Sequence, residues 1–381
     1  MTDAIELTIT DLARSGAGVA RDAGGRVIFV PLTAPGDRVR ARICSEEKKY
    51  ALAEAVEVLE PSPGRVEPRC SVFGRCGGCM WQHIPYQKQW TTKLGGVMHA
   101  LGRVGLKDAP KPDEFPAHDP WNYRNRIQLR GNGDTLGFYA RKSHDIVAVD
   151  TCPVARQEIN AALAGIRTTG SKLVRPYKAE VEVLPDGTVR TVWNAPHGAG
   201  GFRQLHDEQN THLQAWVGRA VPDGSGVVFD LFGGSGNLSR PLAGRAGQVH
   251  CVDISIPPDA GAGAPGNMTF HRTAVLRWLI KTRRNPERFI ALESAAQNIV
   301  IVDPPRIGLA EEMKELLPAL AALKVQRVVA VGCDPDSWAR DLCKLTRAGW
   351  RLTGCAVFDF FPQTPHVECA GVLEKPDSSS Y

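Results

Sequence analysis

Residues 327–342 read Arg327-Val328-Val329-Ala330-Val331-Gly332-Cys333-Asp334-Pro335-Asp336-Ser337-Trp338-Ala339-Arg340-Asp341-Leu342. Val328 to Val331 is an apolar, β-branched run closed by glycine, which predicts a buried parallel strand. Pro335 ends the strand, and Ser337 to Leu342 reads as the start of a helix. Cys333 therefore falls at the carboxyl end of a strand, the edge of an open α/β sheet where ligands bind. Amides at a helix start favour the thiolate of a cysteine held near them. A free cysteine is more often a small buried apolar residue. The sequence on both sides turns the balance toward a reactive thiol.

Upstream, an α/β pattern begins at about residue 201. Gln209 to Ala220 reads as a helix. Val227-Val228-Phe229-Asp230-Leu231-Phe232-Gly233-Gly234-Ser235-Gly236-Asn237-Leu238 reads as strand, glycine-rich turn and helix start. Glycine lets a ligand approach the backbone closely. The turn resembles the D-x-x-x-G-x-G of S-adenosylmethionine methyltransferases more than the G-x-G-x-x-G of dinucleotide enzymes. Val249-His250-Cys251-Val252-Asp253 is the next strand, and it ends in a carboxylate placed to bond ribose hydroxyls. The following Pro257-Pro258-Asp259-Ala260-Gly261-Ala262-Gly263-Ala264-Pro265-Gly266 cannot be a regular helix. Asn298 to Val302 is a further strand, and Asp303-Pro304-Pro305-Arg306 holds a carboxylate out on a stiff loop. Arg351 to Phe358 and Glu368 to Leu373 are two strands with a short connection, hence antiparallel neighbours. If Arg351 to Phe358 runs parallel to the rest, Glu368 starts at the edge where Cys333 and Asp303 end.

The first 60 residues alternate apolar and polar in short runs: Ile5 to Ile9, Val27 to Val30, Val39 to Ile43 and Ala51 to Leu59. Glycine and proline turns separate them, which predicts an OB-like barrel. Its outward arginines are either phosphate contacts or a solvated face, and the barrel alone favours the solvated face. Pro61 to Gly64 is a linker. Cys70, Cys76 and Cys79 form a C-x5-C-x2-C cluster, and Cys152, followed by Pro153, is the best fourth ligand. Zinc and a [4Fe–4S] centre both remain open from this spacing. Tyr86 to about Leu101 is a helix. Trp121, Tyr123, Arg124, Arg126 and Arg130 mix rings with guanidiniums, which suits stacking and phosphate pairing on RNA or, more plainly, a basic edge strand. Arg156 to Gly165 is a helix, Lys178 to Leu184 and Gly187 to Asn194 are strands, and Gly198 to Gly201 is a break. The expected domains are 1–60, 61–200 and 201–381.

With 381 residues, 43% hydrophobic and 23% charged, the chain has an ordinary composition for two or three domains. No apolar run is long enough to span a bilayer, and the polar start, Met1 to Glu6, is no signal peptide. A cytoplasmic location is expected. The net charge of +5 permits an anionic partner. Ten cysteines without an export signal point to metal or catalytic roles rather than disulfides.

Together the barrel, the cysteine cluster, Asp303-Pro304-Pro305-Arg306, the Cys333 stretch and Phe361-Pro362-Gln363-Thr364-Pro365-His366-Val367-Glu368 resemble the RNA uracil C5-methyltransferase family, over nearly the whole chain. The resemblance implies a Rossmann-like S-adenosylmethionine methyltransferase domain, an N-terminal OB-like TRAM barrel that binds RNA, and a β-rich iron–sulfur central domain. It implies Cys333 as nucleophile and Glu368 as base, with cofactor contacts at Gln204, Phe232, Asn237, Asp253 and Asp303. It implies that Cys70, Cys76, Cys79 and Cys152 hold a [4Fe–4S] cluster. The expected reaction is methylation of uracil C5 through a Cys–C6 adduct. The expected RNA is 23S rRNA, with tRNA as the alternative, and the expected state is a monomer with no obligate protein partner. The family's Phe-x-Gln-x-Asn is here Phe202-Arg203-Gln204-Leu205-His206, and an acid expected near His271 to Ala274 is absent. These changes, with the helix-free segment after Asp253, predict weak cofactor binding. In the extreme they describe an RNA-binding relative without catalysis.

Overall fold

A computed structural model describes residues 4–173, 176–196, 203–290 and 296–376. The break expected at residues 198–201, and Phe202, lie outside them. The chain divides into two compact units. One comprises Met1–Gly95, His118–Ala199 and Phe361–His366, and the other Gly96–Ala117, Gly200–Phe360 and Val367–Tyr381. Among the described residues no helix is long and apolar enough to cross a membrane.

The first unit opens with β1 (Ile5–Thr8), β2 (Asp11–Leu12), β3 (Gly18–Arg21), β4 (Val27–Val30), β5 (Arg38–Glu46) and β6 (Tyr50–Glu60), ordered β1-β5-β6-β4-β3-β2. Only Ile9 and Thr10 separate β1 from β2. Ile9 N–H donates to Asp37 O at 2.9 Å and Thr10 N–H to Val19 O at 2.8 Å, so one bent segment pairs with both edges and closes the barrel. Alternation sends Leu7, Ile9, Ala20, Ile28, Val30, Val39, Ala41, Ala51 and Ala53 inward. Outside, Arg38 pairs with Glu6 and Glu60, and Arg40 pairs with Glu57 at 2.7 Å. Arg38 and Arg40 thus each face a cross-strand carboxylate, which favours the solvated-face reading at these two positions. Helix α1 follows at Tyr86–Arg103.

Next come β7 (Asp113–Phe115), β8 (Arg126–Asn132), β9 (Thr135–Tyr139), β10 (Ile146–Ala148), α2 (Gln157–Gly170), β11 (Tyr177–Val183) and β12 (Val189–Trp193). Apart from β7, the strands form one antiparallel sheet, ordered β10-β9-β8-β11-β12, with the apolar face of α2 on its core. Helix α2 runs to Gly170, five residues past the expected end. The order corrects the edge-strand reading of residues 121–130, and burial takes two of the side chains out of the RNA-contact reading. Strand β8 is the middle strand, not an edge. Arg126 is 5% exposed and bonds Glu182 at 3.1 Å, because a guanidinium taken out of water needs a carboxylate partner. Tyr123 is buried, its hydroxyl donating to Pro362 O at 3.0 Å. Neither side chain is free to stack on RNA.

The second unit adds α3 (Asp207–Ala220), β13 (Ser225–Leu231), β14 (Ala246–Asp253), β15 (Met268–Arg272), α4 (Val275–Arg284), β16 (Asn298–Val302), α5 (Met313–Ala322), β17 (Val325–Gly332), α6 (Pro335–Arg347), β18 (Arg351–Phe358) and β19 (Glu368–Glu374). The sheet order is β15-β14-β13-β16-β17-β19-β18-β7. All neighbours are parallel except β19, which runs antiparallel between β17 and β18. Strand β7 was not foreseen, since Asp-Glu-Phe is too short and polar to read as a strand. It is held by Phe115, which stacks on Phe358 with ring centres 4.6 Å apart. The helix expected after the glycine-rich turn is only a 3-10 turn at Arg240–Leu242, because Pro241 lacks the N–H that a longer helix needs. After Asp253 no helix forms before β15, as Pro257 and Pro258 predict.

Candidate active site

Strands β13, β14, β16 and β17 are parallel and end at one edge of the sheet, with Phe232 to Asn237, Asp253, Asp303 and Cys333 at their carboxyl ends. Glu368 opens β19, the antiparallel neighbour of β17. Gly332 pairs with Cys369 in that register, so the next position on each strand puts Cys333 beside Glu368.

Glu368 is 4% exposed. Burial raises its carboxyl well above the usual range, Asp303 adds to the rise, and Arg306 opposes it. Burial pushes Asp303 up to about 7, with a further push from Asp253. The Cys333 thiol is pushed up to about 12 by burial, then by Glu368 and Asp303, with Arg306 pulling the other way. This corrects the expectation of a thiolate favoured by the helix start. Asp334 occupies that position, its carboxylate accepting from Ser337 N–H at 2.9 Å. Burial, with two carboxyls near the sulfur, outweighs the amides. Arg306, quoted in the sequence only as part of a loop motif, is the cation beside this group.

On β13, Asp230 is fully buried and pushed up to about 7 by burial, then by Asp303 and Asp253, against a hydrogen bond from Ser239 Oγ at 2.5 Å. Its other oxygen has no hydrogen-bond partner among the described residues. Gly233 is required above it, since a Cβ there would lie 2.5 Å from Asp230 Oδ2 and 2.7 Å from Cys251 Sγ. Phe232 takes a left-handed conformation, φ +63, and donates its N–H to Val252 O at 2.8 Å. Asp253 accepts Gly234 N–H at 3.1 Å and Ser255 N–H at 2.6 Å, bracing the turn. Asn237 exchanges amide bonds with Asn210 of α3 at 2.8 and 3.0 Å, and Gln214 holds its carbonyl at 2.7 Å. Gln204 is buried just before α3.

In the first unit Cys70, Cys76, Cys79 and Cys152 line one cavity of about 80 Å³ together with Arg124. Burial pushes Cys79 up to about 12 and also raises Cys76 and Cys152, with Arg124 opposing each. Among the described residues no three His, Cys, Asp or Glu side chains are grouped closely enough to hold a metal ion. The thiols surround the cavity instead of meeting at a point. Their backbone is anchored, with Cys70 N–H donating to Gln82 at 3.0 Å and Cys152 N–H to Asn160 at 2.8 Å.

The family model described as tRNA (uracil-5-)-methyltransferase matches residues 154–376. The TRAM-domain model of tRNA (uracil(54)-C(5))-methyltransferase matches residues 5–63. An uncharacterized RNA methyltransferase of Bdellovibrio bacteriovorus is 32% identical over 97% of this chain and 94% of its own length. The 23S rRNA (uracil(1939)-C(5))-methyltransferase of Halomonas elongata is 30% identical over 98% of this chain and 90% of its own. In fold, the chain is similar to Pyrococcus abyssi tRNA (uracil-54, C5)-methyltransferase, solved with S-adenosyl-L-homocysteine. The TM-score is 0.71 at 22% identity, covering 97% of this chain and 99% of that one.

Proposed function

Because this chain belongs to the RNA uracil C5-methyltransferase family, we propose that it methylates uracil C5 in cytoplasmic RNA, with 23S rRNA as target and a monomer as the acting form. The observation that carries the reading is the β17–β19 register, which sets a thiol beside a buried carboxyl. S-adenosylmethionine supplies the methyl group. Phe232, Asn237 and Asp253, with Gln204, are the cofactor-binding residues we assign, at the glycine-rich end of the same edge. Cys333 adds to C6 as its proton passes to the neighbouring Asp303 carboxylate, and the electron pair moves onto C5 and O4. C5 then takes the methyl. Glu368 removes the C5 proton, the C5–C6 double bond reforms, and the sulfur leaves and regains its proton. The net proton released is the one from C5. Arg306 favours the ionised forms of Cys333 and Glu368 that these steps need. The reacting base must be flipped or single-stranded to reach the thiol.

The four cysteine thiols suit a [4Fe–4S] centre: one donor type surrounds one cavity, and Arg124 offsets the negative charge of thiolate ligation. Such a centre would fix the loops at residues 70–79 and 152 in place. The segments we assign are an RNA-binding barrel at 1–60, the cluster domain at 61–200 and the methyltransferase domain at 201–381. A tRNA target is the second reading, favoured by the tRNA descriptions of both matching family models. A non-catalytic RNA-binding role, motivated by the helix-free segment after Asp253, is opposed by the paired Cys333 and Glu368. Mapping 5-methyluridine in 23S rRNA and in tRNA, with and without the gene, tests these alternatives. Loss from rRNA alone supports the main reading, loss from tRNA alone the second, and no loss rejects both.

A further inference from the structure

Two loops carry the chemistry proposed above, and one buried side chain joins them. Asp303 to Arg306 follow β16. Cys333 follows β17 and leads into α6. Two turns into α6 lies Asp341, only 6% exposed. Its Oδ2 accepts the Leu309 N–H at 2.7 Å. The preceding Gly308 has φ +76, and a Cβ there would overlap Asp341 Oδ2 and lie 3.1 Å from Ser337 Cβ. Gly308 N–H in turn donates to Pro305 O at 2.8 Å, closing the turn that carries Arg306. The loop therefore has a short route of bonded contacts to α6.

Helix α6 is itself tied to the strand of Cys333. Asp334 caps it through Ser337 N–H. The Trp338 indole N–H donates to Ala330 O at 2.9 Å. The Trp338 ring lies so close under the sheet that a Cβ on Gly332 would sit 3.2 Å from Cδ1, and one on Gly371 would sit 3.2 Å from Cζ2. Any displacement between the Asp303–Arg306 loop and Cys333 must then break the Asp341 bond or shift this helix. The other oxygen of Asp341 lies 3.9 Å from Lys344 Nζ on the same helix, and a buried carboxyl is still a costly way to satisfy one amide. Its placement, opposite a glycine that only an absent side chain fits, ties one loop to one helix.

We infer that Asp341 is a positioning residue, gripping Gly308 and Leu309 so that Asp303 and Arg306 stay in register with Cys333. This rests on the roles proposed above for those residues. Displacements near 1 Å cost about a hundredfold in rate. The test uses the full-length enzyme and RNA from cells lacking the gene, labelled with tritium at uridine C5. Tritium release counts turnovers, because methylation expels that hydrogen. Asp341→Ala and Gly308→Ala should each lower kcat about 10- to 100-fold. S-adenosylmethionine affinity should stay within about twofold, and the unfolding transition should remain cooperative. Asp341→Asn keeps an oxygen that accepts from Leu309, and it should stay within about threefold of the parent. Joining Gly308→Ala to Asp341→Ala should cost less than the sum of the two, since both act on one contact and only the strain of an alanine at φ +76 is separate. Parental kcat in Asp341→Ala overturns the inference, as does an Asp341→Asn as slow as the alanine variant. Should Asp341→Ala fail to fold, Gly308→Ala decides by the same criterion. Cys333→Ala separates the two ideas: tritium release surviving there rejects the nucleophile assignment itself, not the grip of Asp341.

Discussion

Gly332 of β17 and Cys369 of β19 are register partners, so Cys333 and Glu368, one residue further toward the edge, stand side by side. The strands are antiparallel, and one-residue slippage would send Glu368 to the opposite face. The ladder runs unbroken from Arg327 opposite Glu374 to Gly332 opposite Cys369, which sets the register. The site is thus a product of sheet topology: a nucleophile at the end of one strand meets a carboxyl at the start of its neighbour.

The first prediction follows from that pair. Cys333 acts before methyl transfer and Glu368 after it. Cys333→Ala should give neither methylated RNA nor a covalent complex. Glu368→Gln should let sulfur add and methyl transfer, yet leave the C5 proton in place, so that enzyme stays bonded to methylated RNA. A denaturing gel with labelled RNA and cofactor, sampled at early times, reads both outcomes. Normal turnover in Glu368→Gln, or crosslinking by Cys333→Ala, would reject the role assignment.

Asp230 makes a pH prediction. Its folded pKa of about 7 lies above that of an unfolded aspartate, so the native state binds the extra proton. Below about pH 4 both states are protonated and nothing is lost. As pH rises toward 7 the unfolded state ionises and the native state does not, so stability falls, and the loss is complete above 7. Asp230→Asn keeps an acceptor for Ser239 and cannot ionise. It should match the parent near pH 4 and exceed it at pH 8 by roughly 2–4 kcal/mol. Thermal unfolding of both proteins across that range is the measurement, and equal midpoints at pH 8 would refute the burial argument.

Cofactor affinity is the third. Asp253 is engaged by Gly234 and Ser255, and residues 254–267 form no helix that could flank an adenine. S-adenosylmethionine should bind about tenfold or more weakly than to family members with a helix there, a difference of roughly 1.4 kcal/mol. Calorimetry on both decides, and equal affinity removes the segment from the account.

The fourth concerns the cysteines. Protein purified without oxygen should be brown and carry about four irons per chain. Cys152→Ser should lose most of that iron, although Cys152 is 73 positions from Cys79 in sequence, because both line the same cavity. Stoichiometric zinc without iron contradicts the assignment.

The catalytic edge was legible because its parts are local. Val328 to Val331 and Asn298 to Val302 announce parallel strands, and Cys333 and Asp303 follow them directly. The juxtaposition with Glu368 was legible only conditionally, since it depends on β18 running parallel. Charge environment was not legible. Helix α6 promised a stabilised thiolate, but Asp334 takes the cap, and burial, followed by the carboxyls of Glu368 and Asp303, remote in sequence, raises the thiol instead. Asp341 shows no pattern of its own, because its partner is a backbone N–H 32 positions away. The arginines misled for a related reason. Arg126 and Arg40 look alike in sequence and both lie on internal strands; what separates them is the face, since Arg40 is on the solvated outside of the barrel and Arg126 is on a buried face of its sheet.

That contrast yields the last prediction. Arg40 lies outward on β5, 44% exposed, and pairs with Glu57 at 2.7 Å. Exposed pairs contribute about 0–1 kcal/mol, and a guanidinium already matched by a carboxylate releases few counterions on meeting phosphate. Arg40→Ala should therefore cost less than about 1 kcal/mol and leave both RNA affinity and its salt slope nearly unchanged. Arg126 is 5% exposed between Glu180 at 3.8 Å and Glu182 at 3.1 Å. Its removal takes one of the cations from two buried carboxylates, Glu182 keeping Arg190 at 2.6 Å, and breaking such a group costs up to about 3–5 kcal/mol. Arg126→Ala should unfold the β8–β12 sheet at markedly lower denaturant. Arg126→Met with Glu180→Gln and Glu182→Gln should recover much of the loss by removing both buried charges together with the guanidinium between them. Urea unfolding ranks the variants, and filter binding at two salt concentrations reads RNA affinity. A large drop in affinity for Arg40→Ala would mean that its ion pair opens to phosphate. A mild Arg126→Ala would mean that the buried carboxylates find water, and the middle strand would then be less closed than its burial indicates.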